Sequence, residues 1–424
     1  MSKKTRKILF VICSIFFLLA APSIILYSQG YRIDWKAKKI TLTGGLFLKI
    51  LPKQVEIYLD SKIRKKTDWF FGSVLIENLL PKKYTVKIKK ELFHPWEKSL
   101  EIEEQKVTTA TNIILFPKNP DFTILTGGTE NFWFSPNQKK IILKEIEEKG
   151  WALKLYDPER NIKSHLISEE DIYQKEADLL ALEFSPDSKM LYLKIGMTEQ
   201  VKHFLLEIDK IPPALTEREE TLPLLEDILS YLAIGEDIYY LDNWGHLFRT
   251  DKSLEPKTKI TETPFPVKQE TEYELKIFSD FIFLREAQVL YLFNLTSKSF
   301  EKFFEPVKDL KISPDFNKLV YWSDYEIWIL FLKEKKSPPP KGAGERLFLI
   351  RFSEKITEVS WLNADYLIFS VGNKIKVTEI DERDRINIVN LAEFERPQIF
   401  FNKNNKKLYI LSEGNLFESR VLLP

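Results

Sequence analysis

Phe134-Ser135-Pro136-Asn137-Gln138-Lys139, Phe184-Ser185-Pro186-Asp187-Ser188-Lys189 and Ile312-Ser313-Pro314-Asp315-Phe316-Asn317-Lys318 are three copies of one local instruction. Proline after serine presets φ for a turn, the Asn or Asp bonds back to its own backbone, and the lysine marks a solvent-facing tip. An apolar run follows each copy, at Ile141, Leu191 and Leu319. Each copy therefore predicts a strand, a tight turn and a second strand.

A second pattern places a polar or glycine turn between two apolar strands. It occurs at Tyr239-Tyr240-Leu241-Asp242-Asn243-Trp244-Gly245-His246-Leu247-Phe248, at Val320–Trp328, at Leu367–Ile375 and at Leu408-Tyr409-Ile410-Leu411-Ser412-Glu413-Gly414-Asn415-Leu416-Phe417. With weaker copies near Ile228 and Leu275 the two patterns give seven units, spaced by roughly 35 to 50 residues, the length of a four-stranded propeller blade. The repeat resembles that of the TolB-like class of WD-type propellers, which carries Ser-Pro-Asp-Gly-Lys; none of the three turns here has the glycine. The resemblance covers residues 119–424 and implies a β-propeller of about seven blades. Closure removes exposed sheet edges, and the expected clasp is Phe122-Thr123-Ile124-Leu125 pairing with the last unit near Phe401 or Phe417. Leucines at helical spacing over Thr216–Leu232 and the Pro/Gly-rich Ser337–Gly344 are expected to be insertions at blade edges, the latter flexible.

Upstream, Val55–Leu59, Tyr84–Lys89 and Leu100–Glu103 alternate apolar and polar residues, as strands with one wet face do. Pro52 before a strand, the Tyr58-Leu59-Asp60-Ser61-Lys62 turn, Asn78-Leu79-Leu80-Pro81 before Tyr84, Phe93-His94-Pro95-Trp96 and a closing Ile113-Ile114-Leu115 strand resemble the PEGA domain of bacterial envelope proteins. Pro52-Lys53-Gln54-Val55 stands where that family carries Pro-Glu-Gly-Ala. The resemblance covers about 51–117, within a sandwich expected over 31–118, and implies a noncatalytic module for binding or spacing.

Residues 8–27 contain no charge, and 20 residues at about 1.5 Å rise span the ~30 Å hydrocarbon core. Lys3, Lys4, Arg6 and Lys7 abut this run, so residues 1–7 read as a cytoplasmic basic tail and 8–27 as a single-pass signal anchor that leaves the bulk of the chain outside the cytoplasm. A cleaved signal peptide is the alternative, with Leu19-Ala20-Ala21 or Ser28-Gln29-Gly30 as its site. The single cysteine, Cys13, lies in the apolar run, so the chain forms no internal disulfide.

Charge is divided. Residues 31–118 hold 18 Lys+Arg against 10 Asp+Glu, and residues 119–424 hold 41 against 52. The acidic distal region speaks against nucleic acid as a partner, and the basic proximal one invites attraction to it. Lys62, Arg64, Lys65 and Lys66 read as a basic loop facing anionic lipid or wall polymer, beside Trp69, Phe70 and Phe71.

No linear motif calls for a metal or an organic cofactor. His94, His165, His203 and His246 lack partners at metal-ligand spacing, and no Gly-x-Ser-x-Gly elbow or phosphate-cradling loop occurs. Two functions from different classes follow. One is a noncatalytic envelope protein whose propeller binds a protein, peptide or cell-wall glycan. The other is a propeller hydrolase or lyase whose site assembles from several blades, marked by His, Asp and Arg gathered at one mouth of the channel.

Overall fold

Each Ser-Pro-Asx turn closes in the same way. The buried serine hydroxyl donates to the Asx side chain, at 2.7 Å for Ser135 and Asn137, and accepts the backbone N–H five residues on, at 3.0 Å from Lys140, 2.9 Å from Met190 and 2.9 Å from Lys318. The fourth residue of each turn takes the left-handed conformation in which glycine is least strained: Gln138 (φ 58°), Ser188 (φ 62°) and Phe316 (φ 57°). Two of these side chains are put to use between blades. Gln138 Oε1 accepts the Lys403 amide at 2.7 Å, and Ser188 Oγ accepts the Asn137 amide at 3.3 Å.

The computed structural model describes residues 3–35, 37–67, 71–172, 177–197, 200–218, 228–251 and 257–423, without the side chains of Ile63 and Arg64. Seven four-stranded antiparallel sheets follow one another along the distal chain. Blades 1 to 6 occupy residues 129–168, 178–218, 228–259, 273–304, 309–351 and 356–393. Blade 7 combines Gln398–Asn402, Lys407–Ser412 and Asn415–Ser419 with Phe122–Gly127, the segment that precedes blade 1. Phe122 pairs with Ser419, Thr123 with Glu418 and Ile124 with Phe417, so the expected clasp closes the ring and the region is a β-propeller.

Second strands are the most buried, as in Lys318–Trp322 and Tyr366–Val371, since each is covered on both faces by neighbouring blades. Apolar clusters between blades hold the ring. One joins Trp322, Ile327 and Ile329 to Val359, Trp361 and Phe369; another joins Phe132 and Leu143 to Tyr409 and Leu416 across the closure.

Two expectations need correction. Thr216–Arg218 belongs to the outer strand Ala214–Arg218 and Ile228–Leu232 to the first strand of blade 3, while residues 219–227 lie outside the described set. At the described end of the segment, Ile228, Leu229 and Leu232 lie on a strand rather than a helix. Ser337–Gly344 connects the third and fourth strands of blade 5 and is tied down: Lys335 and Lys341 exchange backbone hydrogen bonds of 2.8 and 3.0 Å, and Lys341 pairs with Glu345 and Glu382.

Ahead of the propeller, two sheets share one apolar core. One orders Lys62–Lys66, Glu56–Leu59, Lys83–Lys89 and Trp96–Glu101; the other orders Ser73–Leu79, Gly44–Leu51 and Val107–Ile114, the last two parallel. Leu46, Leu48 and Ile50 meet Ile57, Leu59, Val86, Ile88 and Leu100 between them. The predicted basic loop is a strand, Lys62–Lys66, paired along Glu56–Leu59 at a sheet edge. Its sequence hides this because four of its five positions are charged. A helix, Lys3–Ser28, leads the chain with no side chain buried, and it alone among the described helices is long and apolar enough to cross a membrane.

Candidate functional site

The first strands of the blades surround the axis. Those of blades 1, 2, 6 and 7 supply most of the wall of a cavity of about 980 Å³. Its apolar part is Trp133, Phe134, Leu182, Phe184 and Phe400, and its polar part includes Asn131, Glu183, Lys355, Glu358, Arg396 and Gln398. The aromatic wall is fixed: Phe134 stacks on Phe400 with centroids 4.1 Å apart and planes at 8°, and meets Tyr409 edge-on at 4.8 Å. Glu358 accepts from Lys311 Nζ at 3.3 Å and from the Ile399 amide at 3.2 Å, which holds its carboxylate against the wall. Burial, then the charge of nearby Lys311, lowers the Lys403 ammonium from its ordinary range. A second hollow of about 600 Å³ shares Arg396 and Gln398 and adds Glu130, Glu395 and Glu413 at its rim. Glu130 is paired with Lys144 at 2.8 Å. The arrangement is thus a preformed aromatic slot beside a rim of mixed charge, in which Glu395 and Glu413 stand with Arg396 and Lys355, suited to an extended ligand that offers ring and polar groups.

The histidines stand elsewhere. His165 lies on the fourth strand of blade 1 near Asp171 at 3.8 Å, His203 on the third strand of blade 2, and His246 beside Thr261 and Lys259 in blade 3. His94 packs where the N-terminal β-unit meets blade 6, and its Nε2 is buried without a hydrogen-bond partner.

That meeting place is a second polar centre. Trp96–Glu101 and Val107–Ile114 are edge strands whose outer backbone groups need partners, and blade 6 supplies them. The Ser99 amide donates to Asp384 Oδ2 at 2.7 Å, the Glu97 amide to Asn387 Oδ1 at 3.4 Å, the Ile114 amide to the Tyr366 hydroxyl at 3.0 Å, and Arg383 donates to the Thr109 carbonyl at 2.8 Å. Lys98, on the inner face of its strand, is fully buried; its ammonium lies 2.7 Å from Glu379 Oε1 and donates to the Asp381 carbonyl at 2.6 Å. Trp96 Nε1 donates to Glu379 Oε2 at 2.9 Å. Burial works to raise the Asp381 carboxyl, but Arg383 and the charge of Lys98 outweigh it and hold it below the ordinary range. Ile114 and Phe116 enter the apolar cluster of blades 6 and 7, so the seam is both apolar and charged.

Of the predicted surface residues, Lys66 pairs with Glu56 at 3.1 Å and Lys65 donates to the Leu75 carbonyl at 2.8 Å. Lys62 is exposed on the same strand; the side chain of Arg64, and Trp69 and Phe70 with it, lie outside the described residues, while Phe71 is exposed. Among the described side chains, Lys65 and Lys66 turn to partners within the β-unit rather than to the propeller. The propeller instead meets Lys98, which the sequence alone does not single out, through Glu379 and Asp381 of blade 6, and Glu97 pairs there with Arg385 at 3.1 Å. A signal present in the sequence is the run Asp381-Glu382-Arg383-Asp384-Arg385, dense in both signs between two apolar strands.

No family model matches the sequence, and no curated protein matches it. Solved structures with a similar fold include a chain of the mitotic checkpoint complex (10% identity, TM-score 0.45, covering 72% of this chain and 93% of that one). They include the β-propeller domain of Cps50 (Swd1) from Myceliophteria thermophila (10%, 0.42, 70% and 97%) and YCF48 from Cyanidioschyzon merolae (10%, 0.44, 70% and 98%).

Proposed function

We propose that this is a noncatalytic, single-pass membrane protein of the cell envelope, with its N-terminus in the cytoplasm and a propeller outside that binds a peptide segment of a partner protein. The observation that carries the binding role is the cavity of about 980 Å³ with its locked aromatic wall, bordered by Glu130, Glu395 and Glu413. Rigid rings placed before binding cost little ordering entropy, and the carboxylates of Glu395 and Glu413 at the rim favour basic residues in the ligand. In this reading the β-unit, similar to a PEGA domain, is a spacer that the seam at Lys98 fixes to the propeller, and the strand Lys62–Lys66 faces an anionic surface. The helix supports the anchor role because Phe10, Phe16, Phe17, Leu18 and Leu19 expose apolar surface that no described part of the chain covers.

The test is peptide-array binding by the full chain in lipid nanodiscs. Peptides rich in Arg, Lys and aromatics are expected to bind and to lose about tenfold or more in affinity with Trp133→Ala combined with Phe184→Ala. Binding that both substitutions leave unchanged removes the slot from the account.

A further inference from the structure

Alternation and register fix two faces on the hairpin formed by Tyr31–Asp34 and Lys39–Leu42. Tyr31 pairs with Leu42, Arg32 with Thr41, Ile33 with Ile40 and Asp34 with Lys39. Tyr31, Ile33, Ile40 and Leu42 therefore share one face, and Arg32, Asp34, Lys39 and Thr41 the other. The polar face is the one that meets the protein: Arg32 Nη2 donates to Asn78 Oδ1 at 2.7 Å, and the Thr41 hydroxyl donates to Glu104. Tyr31 and Leu42, at the helix end of the apolar face, are half-buried, but its far half is uncovered, with Ile33 50%, Ile40 60% and Trp35, in the turn, 81% exposed. A hairpin in water carries the reverse arrangement, with its polar face outward.

The hairpin is also tied to the helix. Only Gln29 and Gly30 separate Ser28 from Tyr31. Arg32 Nη1 donates to the Tyr27 carbonyl at 2.7 Å and its guanidinium lies 3.5 Å from the Tyr27 ring centroid, while the Thr43 amide and hydroxyl both donate to the Gly30 carbonyl, at 3.0 and 2.8 Å. Wherever the helix end sits, the hairpin sits within a few ångströms of it. A spanning helix puts that end in the headgroup layer, the region that tryptophan favours and where a lysine meets anionic lipid. Lys38 and Lys39 are exposed beside Trp35.

We propose that the face formed by Ile33, Trp35 and Ile40 is a membrane foot: it enters the headgroup–acyl boundary of the bilayer, with Lys38 of the turn at anionic headgroups, and so sets the angle at which the β-unit leaves the membrane. The proposal rests on the helix Lys3–Ser28 being a membrane span, and the test separates the two.

The full chain carrying Cys13→Ser is reconstituted in vesicles of three parts phosphatidylcholine to one part phosphatidylglycerol. A polarity-sensitive fluorophore is attached in turn to Ile40→Cys, to Phe16→Cys in the helix, and to Ile211→Cys on the propeller. The label at position 16 is expected to be quenched by lipid carrying a nitroxide deep in its chains. The label at position 40 is expected to be quenched at least threefold more strongly by a headgroup-level nitroxide than the label at 211, and to be shielded from aqueous iodide. Quenching at 16 with 40 no different from 211 overturns the foot and leaves the anchor standing. Shielding of 40 from both iodide and nitroxide lipid also overturns it, in favour of a second copy covering the face. Absence of quenching at 16 overturns anchor and foot together.

Discussion

Replacing Lys98 by methionine keeps most of the stem volume and removes the ammonium from a site with no access to water. Deleting one member of a buried ion pair costs about 3 to 5 kcal/mol, mostly because the remaining charge is stranded. Glu379 retains three donors: Trp96 Nε1 at 2.9 Å, the Asn387 amide at 3.1 Å and the Asn387 side-chain amide at 2.7 Å. The lower end, about 3 kcal/mol, therefore applies, and at about 1.4 kcal/mol per decade it corresponds to roughly a hundredfold rise in opening of the seam. The reporter is the Ser99 amide, whose partner outside its own sheet is Asp384 across the seam. In hydrogen exchange on the full chain, Lys98→Met is expected to speed exchange of a peptide containing Ser99 by about a hundredfold, with the strand Asp237–Asp242 in blade 3 unchanged. Adding Glu379→Gln removes the stranded charge and should recover more than half of the loss. Acceleration below about threefold at Ser99, or a double variant no better than the single, refutes the assignment of Lys98 as the electrostatic centre of the seam.

Further expectations follow from the turns, the seam and the basic strand. Phe316→Gly, at φ 57° with its ring in solvent, should raise the unfolding free energy read from chemical denaturation by up to about 1 kcal/mol, because the left-handed strain outweighs the extra entropy of the unfolded chain. Gln138→Gly and Ser188→Gly should gain less or lose stability, since each discards a hydrogen bond to another blade. Burial pushes the His94 imidazole below its ordinary range, against a backbone hydrogen bond at Asn390. The unfolded chain then binds the proton first, so stability is full above about pH 6.5 and falls as pH drops toward the folded value. His94→Gln should flatten that part of a chemical-denaturation pH profile. Glutamate at Lys62, Arg64, Lys65 and Lys66 should weaken cosedimentation of the anchor-less chain with anionic vesicles or isolated cell wall, in a manner that added salt reproduces. Equal binding by parent and variant removes the electrostatic role.

The blades were legible because their information is local. Ser135, Ser185 and Ser313 each build a turn from residues within five positions, and the clasp at Phe122–Leu125 was a leftover apolar run ahead of the first repeat. What escaped depends on distant partners. Lys98 alternates like any solvated strand lysine until Glu379, 281 positions later, is folded over it. Lys62–Lys66 looks like a loop because its charges mask the alternation that pairing with Glu56–Leu59 reveals. Ile228, Leu229 and Leu232 fall at a helical spacing that pairing in blade 3 overrides, and the hairpin of Tyr31–Asp34 with Lys39–Leu42 hid in plain alternation because its apolar face turns outward. The channel was foreseeable as a consequence of closure, but not its aromatic wall, since Phe134, Phe184 and Phe400 lie in three different blades.

The claim that the propeller's channel face binds a partner outside the cytoplasm is tested most directly by site-specific photocrosslinking in living cells. A photoreactive amino acid at Trp133 or Phe184, in the cavity wall, is expected to trap a discrete adduct that a membrane-impermeant protease added outside can reach once any outer permeability barrier is opened. The same group at Ile162, on the outer strand of blade 1, should trap none. Adducts at Ile162 alone, or adducts that stay protected from the protease, contradict the account.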